Sequence, residues 1–395
     1  MKINHKTFEI THPGRAGRIA LAIGIVGLVA SAGGYFVDSR QFFFSWLTAF
    51  VFWLTLGLGG LFFVMLHHLV DAKWSVVLRR IAENLMRATP IMVIFFVPLA
   101  FGLHELYHWT HADAVANDPL LQSKAPYLNT WFFGIRTVFY FAVWSYLCVT
   151  LYRRSITQDR KGHDQGMTAR FRRISAPGML LFAVTVTFAS FDWLMSLDAH
   201  WYSTIFGAYV FSGLFLGSLA MITLIVMYLR RSGQLTDVIT VEHYHDLGKL
   251  MFAFLIFWSY MAFSQYFLQW YANIPEETIW YRHRWEGGWK AISLVIVFGH
   301  FVIPFFLMLT RAAKRSPAVL TCLGLWLLAV HFIDIHWLVL PNLHQHSAHP
   351  SWMDLSTLAG IGGVFLWYLH RVFVSSKVIA VNDPGLEASV KFTNN

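Results

Sequence analysis

The chain has two cysteines in 395 residues, Cys148 and Cys322, and neither belongs to a CxxC pair. Two isolated thiols build neither a disulfide framework nor a set of iron–sulfur ligands. There is no CxxCH for covalent c-type haem and no Walker-type phosphate loop, so covalent haem and ATP-driven chemistry are excluded from this chain. Charge is scarce as well: 13% of residues are Asp, Glu, Lys or Arg, against 56% hydrophobic and 17% aromatic. That balance excludes a soluble domain and reads as an all-α polytopic membrane protein.

Apolar runs of about 20 residues cross a bilayer. Ten are present, near 17–38, 41–70, 88–106, 129–152, 176–196, 204–229, 248–272, 287–310, 318–340 and 351–374. Cytoplasmic loops retain Lys and Arg. With the N-terminus inside, the inner segments hold 24 of the 30, and the outer ones hold Arg40, Lys124, Arg282, Arg284 and Lys290. Arg136 alone falls well within a span. Both termini are therefore expected in the cytoplasm, with 1–16 and 375–395 flanking a ten-helix domain over 17–374. The net charge of +9 belongs to these short loops and to anionic headgroups, and is no nucleic-acid footprint. The first apolar run, with small residues over 31–34, has some character of a secretory signal, but it continues through Tyr35 and Phe36 and its loss would leave an odd span count. An uncleaved first helix is expected.

Gly57 with Gly60 in span two and Gly213 with Gly217 in span six suggest that spans two to five repeat as six to nine. Such a repeat packs as two four-helix bundles with spans one and ten peripheral, although generic close packing explains the same spacing.

Ionisable groups at membrane depth are costly and face the interior. Span four holds Arg136, span five Asp192, span eight His300, and span nine His331, Asp334 and His336. Arg136 and Asp192 are expected to pair, either to fix register or to gate protons. His331 and Asp334, at i and i+3, share a helix face and suit a water-linked proton relay; buried packing pairs, and a haem held between His300 and His331, are the alternatives. His67, His68, Asp71 and Glu83 gather near the inner connection of spans two and three, where solvation is expected.

The outer loops HELYHWTHAD, 104–113, and HWLVLPNLHQHSAH, 336–349, are rich in histidine. Histidine richness suggests metal, but neither loop places an i, i+4 pair plus a third ligand on one helix face, although His344, His346 and His349 can converge; a partner-covered or pH-sensitive surface, with no metal, is the expectation. The run FSQYFLQWYANIPEET, 263–278, carries a polar, aromatic face into an acidic turn. Tyr260, Ser264 and Tyr271 recur at helical spacing in hydrocarbon, where each hydroxyl needs a partner, so this face reads as a pathway or a subunit contact.

The runs SFDWLMSLDAHWYSTIFGAYVFSG, 190–213, and SQYFLQWYANIPEET, 264–278, within a ten-span layout, resemble the NrfD/PsrC-like integral membrane subunits, most closely the ActF type of bacterial alternative complex III. The resemblance covers nearly the whole chain. It implies a multi-pass subunit of a quinol:cytochrome c oxidoreductase in the bacterial cytoplasmic membrane, beside a homologous ten-helix subunit. It also implies multihaem and monohaem cytochromes c, an iron–sulfur protein and a terminal cytochrome oxidase as partners, which hold the haem c and iron–sulfur clusters. This chain would bind no redox cofactor alone and would not be catalytic alone. Menaquinol or another quinol would be oxidised chiefly at the sister subunit while this type conducts protons, and a second quinone pocket at Asp192, His200 and Tyr209 is compatible. On this basis Asp192, Arg136, Tyr260, Ser264, Gln265, His300, His331 and Asp334 are expected to line a proton path or quinone site. Glu276 and Glu277 are assigned to docking or proton exit. A secondary transporter would need helices broken at matching places in the two halves, and Pro90, Pro98 and Pro304 do not match. A purely structural anchor is the third reading.

Overall fold

A computed structural model of the protein describes residues 8–10, 14–162 and 165–394. Among the described residues, ten helices are long and apolar enough to cross a membrane: α1 (Ala16–Val37), α2 (Ser39–Leu69), α3 (Lys73–Phe101), α4 (Thr130–Lys161), α5 (Gly166–Leu197), α6 (Phe206–Arg231), α7 (Val241–Ala272), α8 (Trp289–Leu309), α9 (Pro317–Asn342) and α10 (Trp352–Ser375). The described residues contain no strand. The protein is an all-α polytopic membrane protein.

The helices outrun their apolar stretches. α7 begins before the apolar run near 248 because Thr240 and His243 form a capping box that satisfies the first turn. α4 continues through Arg160 and Lys161, whose positive charge suits a helix C-terminus. Hydropathy registers neither effect.

α2 and α6 are the most buried spans and lie against each other at the centre. α3 and α5 pack on α2, and α4 closes that bundle against α5 and α3; α7 and α9 pack on α6, and α8 closes the second bundle against α9 and α7. The packing pairs of one half thus correspond to those of the other. Across the centre, Ser218 donates to the carbonyls of Thr55 and Leu56 at 3.2 and 2.9 Å. Gly59 makes this approach possible, since a Cβ there would stand 1.9 Å from the Ser218 hydroxyl.

α1 packs chiefly on α10, and α10 on α2. Gly17, Gly24, Gly27, Ser31 and Gly34 form the buried stripe of α1. A Cβ at Gly27 would come within 2.4 Å of the Gly360 nitrogen, so backbone meets backbone there. The small residues near 31–34 are therefore part of a helix contact.

Two spans are irregular. In α3, a 3₁₀ turn over Thr89–Ile91 surrounds Pro90, which has no N–H for the ladder. In α8, a π-turn runs over Ile296–Val302. Pro304 follows it and cannot bond the His300 carbonyl, so the ladder widens upstream.

The inner connection departs from the solvated cluster expected there. Only Asp71 is exposed; His67 and His68 are 6% exposed and Glu83 is fully buried. Glu83 pairs with Arg79 and Arg80 at 3.2 and 3.0 Å, Arg80 reaches Asp159 at 2.7 Å, and Arg79 bonds Asp383. The segment after α10 causes this burial. Val378, Ile379 and Ala380 are buried, Ser389 donates to the Trp74 carbonyl at 2.6 Å, and Asn394 donates to Glu242 at 3.1 Å.

Candidate functional site

Asp334 on α9 is 3% exposed. Tyr209 on α6 donates its hydroxyl to one carboxylate oxygen, and Trp258 on α7 donates to the other at 3.1 Å. His300 on α8 approaches that second oxygen with Nδ1 at 3.8 Å and stacks on Trp258 at 3.8 Å between ring centroids. The π-turn of α8 carries His300. Both His300 ring nitrogens lack a hydrogen-bond partner among the described residues. A 3.8 Å gap is too long for a hydrogen bond, but a small shift or a bridging water closes it.

His331 lies one turn before Asp334 but bonds elsewhere. Its Nε2 is 3.0 Å from the Thr55 hydroxyl on α2. That hydroxyl donates to the Phe52 carbonyl at 2.7 Å, so Nε2 is the donor and Nδ1 is left as an acceptor. Gly217 makes room for the ring, since a Cβ there would stand 2.9 Å from Cδ2. His331 and Asp334 thus share a helix face, as expected, but answer to different neighbours. For a haem, both imidazoles must face one iron; here His300 is stacked on Trp258 and His331 is bonded to Thr55.

Asp192 on α5, fully buried, has the opposite environment. Arg136 on α4 grips it bidentately through Nε at 2.8 Å and Nη2 at 2.9 Å, and Tyr140 donates at 2.7 Å. The Arg136 guanidinium also lies on the Tyr127 and Phe132 rings at 3.9 and 4.3 Å. The expected ion pair is present. Asp192 thus meets a fixed cation, whereas among the described residues Asp334 meets neutral donors and a histidine.

A small cavity lies between the two clusters. It is lined by Thr55, the His331 partner, and by Ser190 and Trp193, the chain neighbours of Asp192 at two and one residues' distance, and measures about 30 Å³. Its lining is otherwise mostly Val, Leu and Ala, and the space does not fit a quinone head group. The pocket expected from Asp192, His200 and Tyr209 does not form: Asp192 is bonded to Arg136, Tyr209 to Asp334, and His200, on the outer surface, to Asp118 at 2.6 Å. These are three separate networks.

The remaining expected residues lie apart from both carboxylates' hydrogen bonds. Tyr260 and Tyr271 are 61% and 77% exposed and face away from the bundles, so in this chain they line no interior path. Ser264 is half-buried. Gln265 is buried on the opposite face and donates to the Tyr281 hydroxyl at 3.1 Å. Glu276 and Glu277 sit in the first turn of the short helix Pro275–His283, where the helix dipole favours acids. Among the described residues no three His, Cys, Asp or Glu side chains are placed to hold a metal ion.

Tyr140, Thr55 and Trp258 are functional-site residues that sequence reasoning missed. Tyr140 lies one turn from Arg136 and shares its face, a signal that was available. Thr55 and Trp258 depend on contacts between distant helices.

Compared with models of protein families the sequence matches none, and it matches no curated protein.

Proposed function

We propose that this chain is the proton-conducting membrane subunit of a quinol:cytochrome c oxidoreductase of the alternative complex III type, seated in the bacterial cytoplasmic membrane. The observation that carries the reading is Asp334, a buried carboxylate with two neutral donors, a histidine 3.8 Å away and, among the described residues, no fixed cation. Intramembrane carboxylates and histidines so placed serve proton relays. His331 and Thr55 extend the polar groups toward the first bundle. Quinol oxidation releases protons with its electrons, and two isolated cysteines leave the electron carriers to partners.

The test is to tag the chain, extract it in mild detergent, and measure haem content and quinol-dependent cytochrome c reduction in the purified material. Copurified c-type haem with turnover is expected. A chain that emerges alone, colourless and inactive toward quinol overturns the reading.

A further inference from the structure

On the outer side, the start of α2 and the connections after α3, α5, α7 and α9 converge on one cavity of about 550 Å³. Histidines dominate its lining: His104, His108 and His111 from the first loop, His200 from the α5–α6 connection and His283 before α8. The permanent charges are Arg40 and Arg284 against Glu105 and Asp198. The His104 and His111 rings stack at 3.7 Å.

Arg284 is built into the wall. It is 2% exposed, lies on the Trp280 ring at 3.4 Å, and donates to the carbonyls of Trp337, Trp280 and Leu338 at 3.1, 3.0 and 3.0 Å. A guanidinium has about five N–H donors, so these bonds do not exhaust it. No carboxylate forms an ion pair with it among the described residues. A buried cation with only neutral partners is costly. Burial pushes the Arg284 guanidinium down to about 9, with Asp198 opposing that shift from a distance.

We propose that this outer cavity binds a small organic anion, a di- or tricarboxylate or a phosphate ester, anchored by Arg284 and surrounded by the histidines. Pockets of about 300–1,000 Å³ take small molecules, whereas a bare inorganic ion leaves most of this one to water. Imidazole N–H groups add neutral donors to the anion, while Glu105 and Asp198 oppose it. The inference stands apart from the proton-transfer reading and does not rest on it.

The experiment follows thermal unfolding of the full chain in detergent with citrate, glycerol 3-phosphate or inorganic phosphate at fixed ionic strength. A saturable rise with one of the organic anions is expected. Arg284→Gln should weaken it about tenfold or more. Should that variant misfold, the His200→Gln/His283→Gln pair, near the surface, should weaken binding. Asp198→Asn should tighten binding. No saturable rise, a rise with inorganic phosphate alone, or one that Arg284→Gln and the histidine pair leave intact, overturns the proposal.

Discussion

Tyr209 on α6 donates to Asp334 on α9, and among the described residues no Lys or Arg pairs with that carboxylate, while Asp192 on the corresponding helix of the first bundle is clasped by Arg136. The two bundles thus hold the same residue type in opposite electrostatic settings. One is a closed ion pair; the other is a carboxylate met by neutral donors and a histidine. The proposed proton path places the mobile proton in the second bundle and a lock in the first.

If Arg136 and Asp192 form a lock, removing one partner strands a buried charge. Arg136→Leu is expected to destabilise the protein by about 3–5 kcal/mol, and the double variant with Asp192→Asn to recover most of that loss. Unfolding in mixed detergent measures both. Additive losses would remove the pair from this role.

Gly217→Ala places a methyl 2.9 Å from His331 and should push the ring off Thr55. Overpacking of this kind costs about 1–3 kcal/mol. Gly33→Ala, where nothing lies within 4 Å, is the control and should change little. Equal effects at the two sites would contradict the crowding argument.

Outside the spans, burial pushes the His344 ring below its usual 6.5, with His349 adding to the shift. The folded state then binds fewer protons than the unfolded one through the window below 6.5, so stability is lost as pH falls through it. His344 is bonded to Gln41 at 2.7 Å. The unfolding midpoint is expected to drop from about pH 7 to about pH 5, and His344→Gln to flatten part of that drop. Parallel curves for the two proteins would rule His344 out as the sensor.

The ten spans were legible because a long apolar run has few other uses, and the Arg136–Asp192 pair because each charge had so few rivals at its depth. The Thr55–His331 bond was not legible: it joins residues 276 apart, and no local pattern encodes which distant helices meet. The buried inner cluster around Glu83 was misjudged because its cover, residues 376–394, lies at the other end of the chain. Helical spacing grouped Tyr260 with Tyr271 correctly on one face. Spacing does not say whether a face points inward, and on α7 the buried face is that of Gln265 and Gln269.

The most direct measurement is the proton-to-electron ratio of the quinol-oxidising assembly in proteoliposomes, wild type against Asp334→Asn, with haem content confirming equal assembly. The account expects Asp334→Asn to lower the ratio while Tyr260→Phe leaves it unchanged. An Asp334→Asn assembly with full haem and the wild-type ratio would contradict it.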